Sequence, residues 1–212
     1  MSQQSLRVRD LGYSPGVLPT GPTNSILDVP GVHVSQITVP TSSDHGSGSG
    51  STAKKGLTVV SPRPPEDFYI PCRASAFTFN GNGELTCSRQ IEDWGYINTP
   101  IAFTNSLSLG TVFDGMWDWV MDRQDEMKWG SLGRARHYGT PVVGETADWS
   151  INSDTRQSRL DRQDIKKCFE GLRCREDGAT VEEGQTGGGA GMTCHQFTGK
   201  LSGANRSLRS IP

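Results

Sequence analysis

Residues 111–130, TVFDGMWDWVMDRQDEMKWG, repeat their apolar side chains at the period of an α-helix. Phe113, Met116, Trp117, Val120 and Met121 fall at i, i+3, i+4, i+7 and i+8, while Asp114, Asp118, Asp122 and Asp125 take the other face. Such a helix is stable only when its aromatic stripe lies on an apolar surface, so the stripe is read as core and the acidic face as solvated. Four short runs rich in β-branched and aromatic residues offer that surface: GLTVVS (56–61), ASAFTFN (74–80), TPIAFTNS (99–106) and TPVVGET (140–146), each bounded by turn residues. Ile165, Cys168, Phe169 and Leu172 predict a second amphipathic helix, with Gly178, after Arg173 and Arg175, as its stop. Strands packed against amphipathic helices imply a layered α/β fold.

The 212 residues are enough for one buried core, and a single domain over 1–212 is expected. A formal charge of −2 and a pI near 6.1 give no basic footprint, which argues against nucleic acid and anionic membrane as partners. The start MSQQSLRVRD lacks the apolar centre of a signal peptide, and no apolar run reaches membrane-spanning length, so a soluble, cytoplasmic protein is expected. DLGYSPGVLPTGP (10–22) is rich in turn formers and is expected to wrap over a scaffold. DHGSGSGSTAKKG (44–56) has the composition of a flexible loop, best suited to joining two strands of a hairpin.

The five cysteines, Cys72, Cys87, Cys168, Cys174 and Cys194, show no paired short spacing, and the odd number does not suit a closed disulfide framework. They are read as buried free thiols, which behave as small hydrophobes. His33, His45, His137 and His195 are equally scattered, and no spacing puts two ligands on one helical face, so no metal is expected.

Four stretches carry polar groups where chemistry is done. NGNGELT (80–86) is a tight turn followed by Glu84. TNSLSLG (104–110) brings Asn105, Ser106 and Ser108 to the start of the aromatic helix, where N-capping explains them. GETADWSIN (144–152) leaves a strand with Glu145 and Asp148, each placed either to bind an amine or to face solvent. In EEGQTGGGAGM (182–192) the glycine amides have the makings of an anion nest, but the run lacks the Gly-Lys-Ser/Thr ending of a phosphate loop and opens no amphipathic helix. Close approach of backbone, to a substrate or to a neighbouring strand, explains so many residues without side chains.

Taken in order, RVRDLGYSPGVLPTGPTNSILDVPGVHVS, NGNGELT, TPIAFTNSLSLGTVFDGMWDW, PVVGET and EEGQTGGGAGM resemble the DmpA family of L-aminopeptidase D-esterases, relatives of the β-peptidyl aminopeptidases, from about residue 7 to about 206. The resemblance implies a four-layer αββα sandwich of the Ntn-hydrolase type. It implies a hydrolase that releases N-terminal amino acids from peptides, amides or esters after a precursor cuts itself once. The freed serine attacks, its own α-amine serves as base, and an oxyanion hole stabilises the tetrahedral intermediate. No metal or organic cofactor is implied.

Glu145 matches the glutamate of the family's Gly-Glu-Thr motif, associated with recognition of the substrate amino group. After it, Asp148, Trp149, Ser150, Ile151, Asn152 and Ser153 stand where the family has Asp, Gly, an aromatic, Leu, Asn and Asp, so Asn152 keeps the family's asparagine. Gly187, Gly188 and Gly189 match the family's glycine run, with Gln185 at its Asn position and Ala190 at its Thr. Glu145, Asn152 and Gly187–Gly189 are therefore the expected substrate-binding residues. The family's Gly-Ser cleavage junction has no match up to Pro212, so no catalytic residue is assigned within the chain and the large-subunit portion alone is expected. The expected partners are a small peptide or an amino-acid amide or ester, a small-subunit fragment supplied separately, and further copies of the chain, because a sheet lacking a strand leaves an adhesive edge. The alternative is a truncated or diverged relative that binds a small peptide, or acts as a structural partner, without hydrolysis.

Overall fold

The computed structural model describes residues 8–14, 16–40, 54–127, 139–147, 159–184, 186–192, 195–201 and 204–211. Its main sheet is built from β1 (His33–Pro40), β2 (Lys54–Ser61), β5 (Ile101–Asn105) and β6 (Val142–Thr146), in the order β1-β2-β5-β6. Two smaller antiparallel pairs accompany it, β3 (Cys72–Arg73) with β4 (Tyr96–Ile97) and β7 (His195–Leu201) with β8 (Ala204–Ile211). β1 and β2 run antiparallel from His33↔Ser61 to Pro40↔Lys54, so the segment between them joins a hairpin as expected. Of the stretch 44–56, residues 54–56 are already strand and the rest lies outside the described residues.

β5 and β6 are parallel, in register from Ile101↔Val142 to Asn105↔Thr146. A parallel pair needs a crossover, and the aromatic helix α2 (Leu109–Glu126) lies within it. Side chains alternate between the two faces of the sheet. On one face Leu57, Val59, Ala102 and Val143 are fully or almost fully buried beneath α2 and a second helix, α3 (Arg162–Glu170). Met116 and Val112 of α2 and Ile165 and Phe169 of α3 complete this core, while Trp119 stacks on Phe169 at 5.0 Å and meets Phe68 edge-on at 5.2 Å. On the other face lie Gln36, Thr38, Gly56, Thr58 and Phe103, under the glycine run. The short helix α1 (Ser88–Trp94) adds Ile91 to a smaller cluster with Ile97 and Val142.

Three of the four expected strands are present, and the fourth is not. Residues 74–80 are unassigned, with Phe77 and Phe79 87% and 88% exposed. A strand needs a neighbour, and among the described residues none lies beside 75–80. The buried stripe of α2 runs through Val112, Gly115, Met116, Val120 and Gln124, leaving Met121 48% exposed and Phe113 and Trp117 half-buried. Apolar residues lie almost all round this helix, so period alone does not choose its inner face; contact with α3 does. The four aspartates are exposed as expected, and Asp114 and Asp118 pair with Arg162.

The second helix begins with a capping box, Asp161 Oδ1 accepting from the Asp164 N–H at 2.8 Å and Asp164 Oδ2 from the Asp161 N–H at 3.1 Å. It stops at Gly171, not at Gly178, because the chain must turn there against β1: a Cβ on Gly171 would stand 2.7 Å from Ser35 Oγ. Gly178 instead closes the following 3-10 turn at φ +74°. The N-terminal segment does not cover a core, since Leu11, Tyr13, Val17 and Leu18 are 65–99% exposed. Of the four described cysteines only Cys168 is buried; Cys72, Cys87 and Cys174 are half-buried free thiols, and Cys194 lies outside the described residues. No helix is long and apolar enough to cross a membrane among the described residues.

Candidate active site

The carboxyl ends of the parallel strands β5 and β6 bring together the groups best suited to chemistry, as is usual where parallel strands end in an α/β sheet. Asn105 and Thr146 are register partners there, with Asn105 buried, and Glu145 stands beside Thr104. Glu145 is fixed from outside the sheet. The segment after the NGNG turn runs antiparallel along the free edge of β6, bridging Leu85 to Gly144. The Glu145 N–H donates to the Glu84 carbonyl at 2.8 Å, and Glu145 Oε2 accepts from the Glu84 N–H at 2.8 Å. One turn is thereby tied to one carboxylate, and the tight turn itself is built on Asn80 Oδ1, which accepts from the Asn82 N–H at 2.9 Å, and on Gly83 at φ +101°. A carboxylate has room for several donors, so a half-buried Glu145 with one oxygen engaged keeps acceptor capacity for an ammonium group.

Sequence reasoning missed Thr146, whose buried Oγ1 has no hydrogen-bond partner among the described residues. An orphaned buried hydroxyl is unusual and calls for a partner such as a ligand or water. The signal was available: a hydroxyl next to the glutamate, at the end of an apolar strand. The polar residues before α2 do not act as expected. Neither Asn105 nor Ser108 caps a helix with its side chain. Ser108 Oγ instead accepts from the Leu160 N–H at 2.9 Å, tying the loop before α3 to the start of α2.

The glycine run lies on the opposite face of β2 and β5 from the helices. Its 3-10 turn Gly187–Gly189 directs the Gly187 N–H to Thr38 Oγ1 at 2.8 Å and the Gly188 N–H to Thr58 Oγ1 at 2.9 Å. These are the amides an anion nest would use, so the turn is not a phosphate cradle. Close approach to a strand is what the glycines allow here: a Cβ on Gly188 would overlap the Phe103 carbonyl, and one on Gly56 would overlap that of Gly187. Gln36 secures the run upstream, accepting from the Glu182 N–H at 2.9 Å and donating to its carbonyl at 3.1 Å. Phe103 connects the two expected site elements, since its carbonyl lies under Gly188 and its ring covers Gly144, next to Glu145. Asn152, Asp148 and Gln185 lie outside the described residues.

A recess of about 590 Å³ between α2 and α3, lined by Asp118, Trp119, Arg123 and Arg162, contains none of these groups. It is a solvent-facing groove rimmed by ion pairs, and the chemistry at the strand ends outweighs its size. Metal-ligating side chains meet at the other edge of the sheet, where His33, Cys174 and Asp177 converge.

The sequence model of peptidase family S58 matches residues 24–211. The β-peptidyl aminopeptidase BapA of Sphingosinicella microcystinivorans is 32% identical over 207 residues, which cover 97% of this chain and 48% of that protein. BapA of Sphingosinicella xenopeptidilytica is 31% identical, over 94% of this chain and 46% of that protein. The L-aminopeptidase D-Ala-esterase/amidase of Ochrobactrum anthropi, a prototype for the serine aminopeptidases with a variant of the Ntn-hydrolase fold, superposes with a TM-score of 0.73 at 32% identity, covering 88% of this chain and 48% of that one. The β-aminopeptidase of a Burkholderia species gives a TM-score of 0.72 at 34% identity, covering 90% and 49%. The chain spans about half the length of the curated relatives it matches. The expected α/β fold of the Ntn-hydrolase aminopeptidases is thus the fold observed.

Proposed function

The chain belongs to peptidase family S58, and from that premise we propose that it is the substrate-amine-binding half of a serine-type aminopeptidase that releases N-terminal residues from small peptides, amides or esters. The observation that carries this reading is Glu145, a carboxylate locked by the Glu84 N–H at the end of β6 with acceptor capacity left over. A substrate ammonium bound there is fixed by a charge-assisted hydrogen bond, and its scissile carbonyl is placed at the strand ends. Thr146 Oγ1, buried and without a partner among the described residues, supplies a second polar contact. By their match to the family motifs, Asn152 and the turn Gly187–Gly189 are assigned to substrate binding as well, the glycines through a turn that lies directly on β2 and β5. The attacking serine comes from the portion of the relatives that this chain does not match.

The test is reconstitution. This chain is combined with the second half of a family relative and assayed on β-alanyl, L-alanyl and D-alanyl p-nitroanilides, the types of residue named for the relatives. Turnover by the pair, absent from either half, is the expected result. Binding of an aminoacyl amide by the pair without turnover would replace the peptidase reading with that of a non-catalytic binding relative.

A further inference from the structure

Main-chain hydrogen bonds draw His33 and Cys174 together across 141 positions of sequence. Their neighbours Val34 and Arg173 form an isolated antiparallel bridge, the Val34 N–H donating to the Arg173 carbonyl at 2.8 Å and the Arg173 N–H to the Val34 carbonyl at 3.2 Å. Asp177 arrives from the next turn. Cys174 stands at the start of the 3-10 turn Arg175–Asp177, and both its N–H and its Sγ–H donate to Asp177 Oδ2, at 3.0 and 3.2 Å. A ring nitrogen of His33, Cys174 Sγ and a carboxylate oxygen of Asp177 all lie within 4.8 Å of one another. His33 Nδ1 is 3.0 Å from the Gly31 carbonyl oxygen, which can only accept, so in the neutral ring the lone pair is on Nε2.

A turn cap accounts for Cys174 and Asp177, and the imidazole, which acts electrostatically on the Asp177 carboxylate, adds a third donor of metal-binding type to the same spot. The neighbouring arginines make their hydrogen bonds elsewhere, Arg175 Nη1 lying 3.4 Å from Asp28 Oδ1 and Arg173 Nη1 donating to the Leu172 and Glu170 carbonyls at 2.7 and 2.9 Å, although the Arg173 charge still acts on Asp177.

We propose that His33, Cys174 and Asp177 bind a divalent ion of the zinc class, which pins the segment after α3 to the start of β1. One thiolate, one carboxylate and one neutral imidazole offset the double charge and form a three-ligand set, with water completing the tetrahedron. Sulfur and nitrogen donors favour borderline ions such as Zn²⁺ and Co²⁺ over Mg²⁺ or Ca²⁺. On binding, a metal–sulfur bond replaces the Cys174 S–H bond and the proton leaves to solvent. β1 and β6 are the two edges of the sheet, so the ion sits across the sheet from Glu145 and its role is structural.

The full-length chain, stripped with EDTA, is titrated with Zn²⁺ by calorimetry, melted with and without Zn²⁺, and loaded with Co²⁺ for absorption spectroscopy. Saturable binding of one Zn²⁺ per chain, a raised melting temperature and a thiolate-to-cobalt charge-transfer band are expected. Cys174→Ser keeps a good capping residue, and His33→Gln leaves the turn untouched, so both fold without metal. Each should lose at least about a hundredfold in Zn²⁺ affinity, beyond what loss of a mere supporting partner costs, and Cys174→Ser should lose the cobalt band. Failure of the parent chain to bind, or variants that bind as tightly as the parent, would overturn the proposal, the latter by moving the ion to another histidine or cysteine.

Discussion

Gly115 of α2 and Ile165 of α3 meet without room for a methyl group between them: a Cβ on Gly115 would stand 2.8 Å from Ile165 Cγ2 and 3.0 Å from its Cδ1. Ile165 is 1% exposed and has little freedom to move aside. Gly115→Ala gains up to about 1 kcal/mol of helix propensity and incurs about 1–3 kcal/mol of overpacking, so a net loss near 1 kcal/mol is expected. Adding Ile165→Val removes the Cδ1 contact but leaves the closer Cγ2, and should recover part of it. Urea unfolding of the two single variants and the double variant reads the coupling; additive losses would show that the helices do not touch at this point.

The glycine turn makes a harsher prediction. An alanine at Gly188 would collide with the Phe103 carbonyl, which β5 holds in place and which cannot rotate away as a side chain can. Gly188→Ala should therefore cost about 3 kcal/mol. Gly16 is the control, because it has φ +78° but nothing near its Cβ, and its alanine variant should cost only about 1–2 kcal/mol. A loss at Gly188 no larger than that at Gly16 in thermal or urea unfolding would mean that the Phe103 carbonyl can give way and that close approach is not what this position requires.

Much of this architecture is legible from local pattern, and the exceptions have a common cause. β2, β5 and β6 announce themselves because their apolar runs are buried by the helices that follow them in sequence. The stretch at Phe77 and Phe79 carries the same signal, but strand formation depends on a neighbour, which local composition does not report. The inner face of α2 was likewise decided by α3, through Gly115. Glu145 stood out through its motif, whereas Thr146 became visible only once its hydroxyl was found buried and unsatisfied. The grouping of His33 with Cys174 and Asp177 depends on a bridge between distant segments, and no spacing rule reaches that far.

Glu145→Gln separates charge from shape. The amide oxygen can still accept from the Glu84 N–H, and the main-chain bond between the two residues is unaffected, so stability should stay within about 0.5 kcal/mol of the parent. In the reconstituted enzyme kcat/KM on substrates with a free amine should fall about a hundredfold, within the range for removing one partner of a desolvated ion pair. N-acetylated substrates, which carry no positive charge, should be affected little. A uniform loss on both substrate types would assign Glu145 to the framework and remove it from amine recognition.

Cys168 supplies a stability test on the alkaline side. Its side chain is fully buried in the main core beside Ser35, and burial pushes its thiol up from 9.0 to about 11, against weaker opposing hydrogen bonds from Ser35 and nearby main chain. The folded state therefore holds a proton that the unfolded chain gives up earlier. The resulting stabilisation is complete below the unfolded value of 9.0 and is lost as pH rises through the folded value of about 11. Two pKa units correspond to a loss of about 2–3 kcal/mol across that window. Cys168→Ala leaves a small cavity and starts less stable, but it lacks this titration. Urea midpoints measured from neutral pH to pH 11 should thus show the parent's advantage shrinking by about that amount between the two values, with other alkaline titrations cancelling in the difference. Curves that stay parallel would mean that the buried thiol ionises alike in the folded and unfolded chains, contrary to its position on the sheet-facing side of α3.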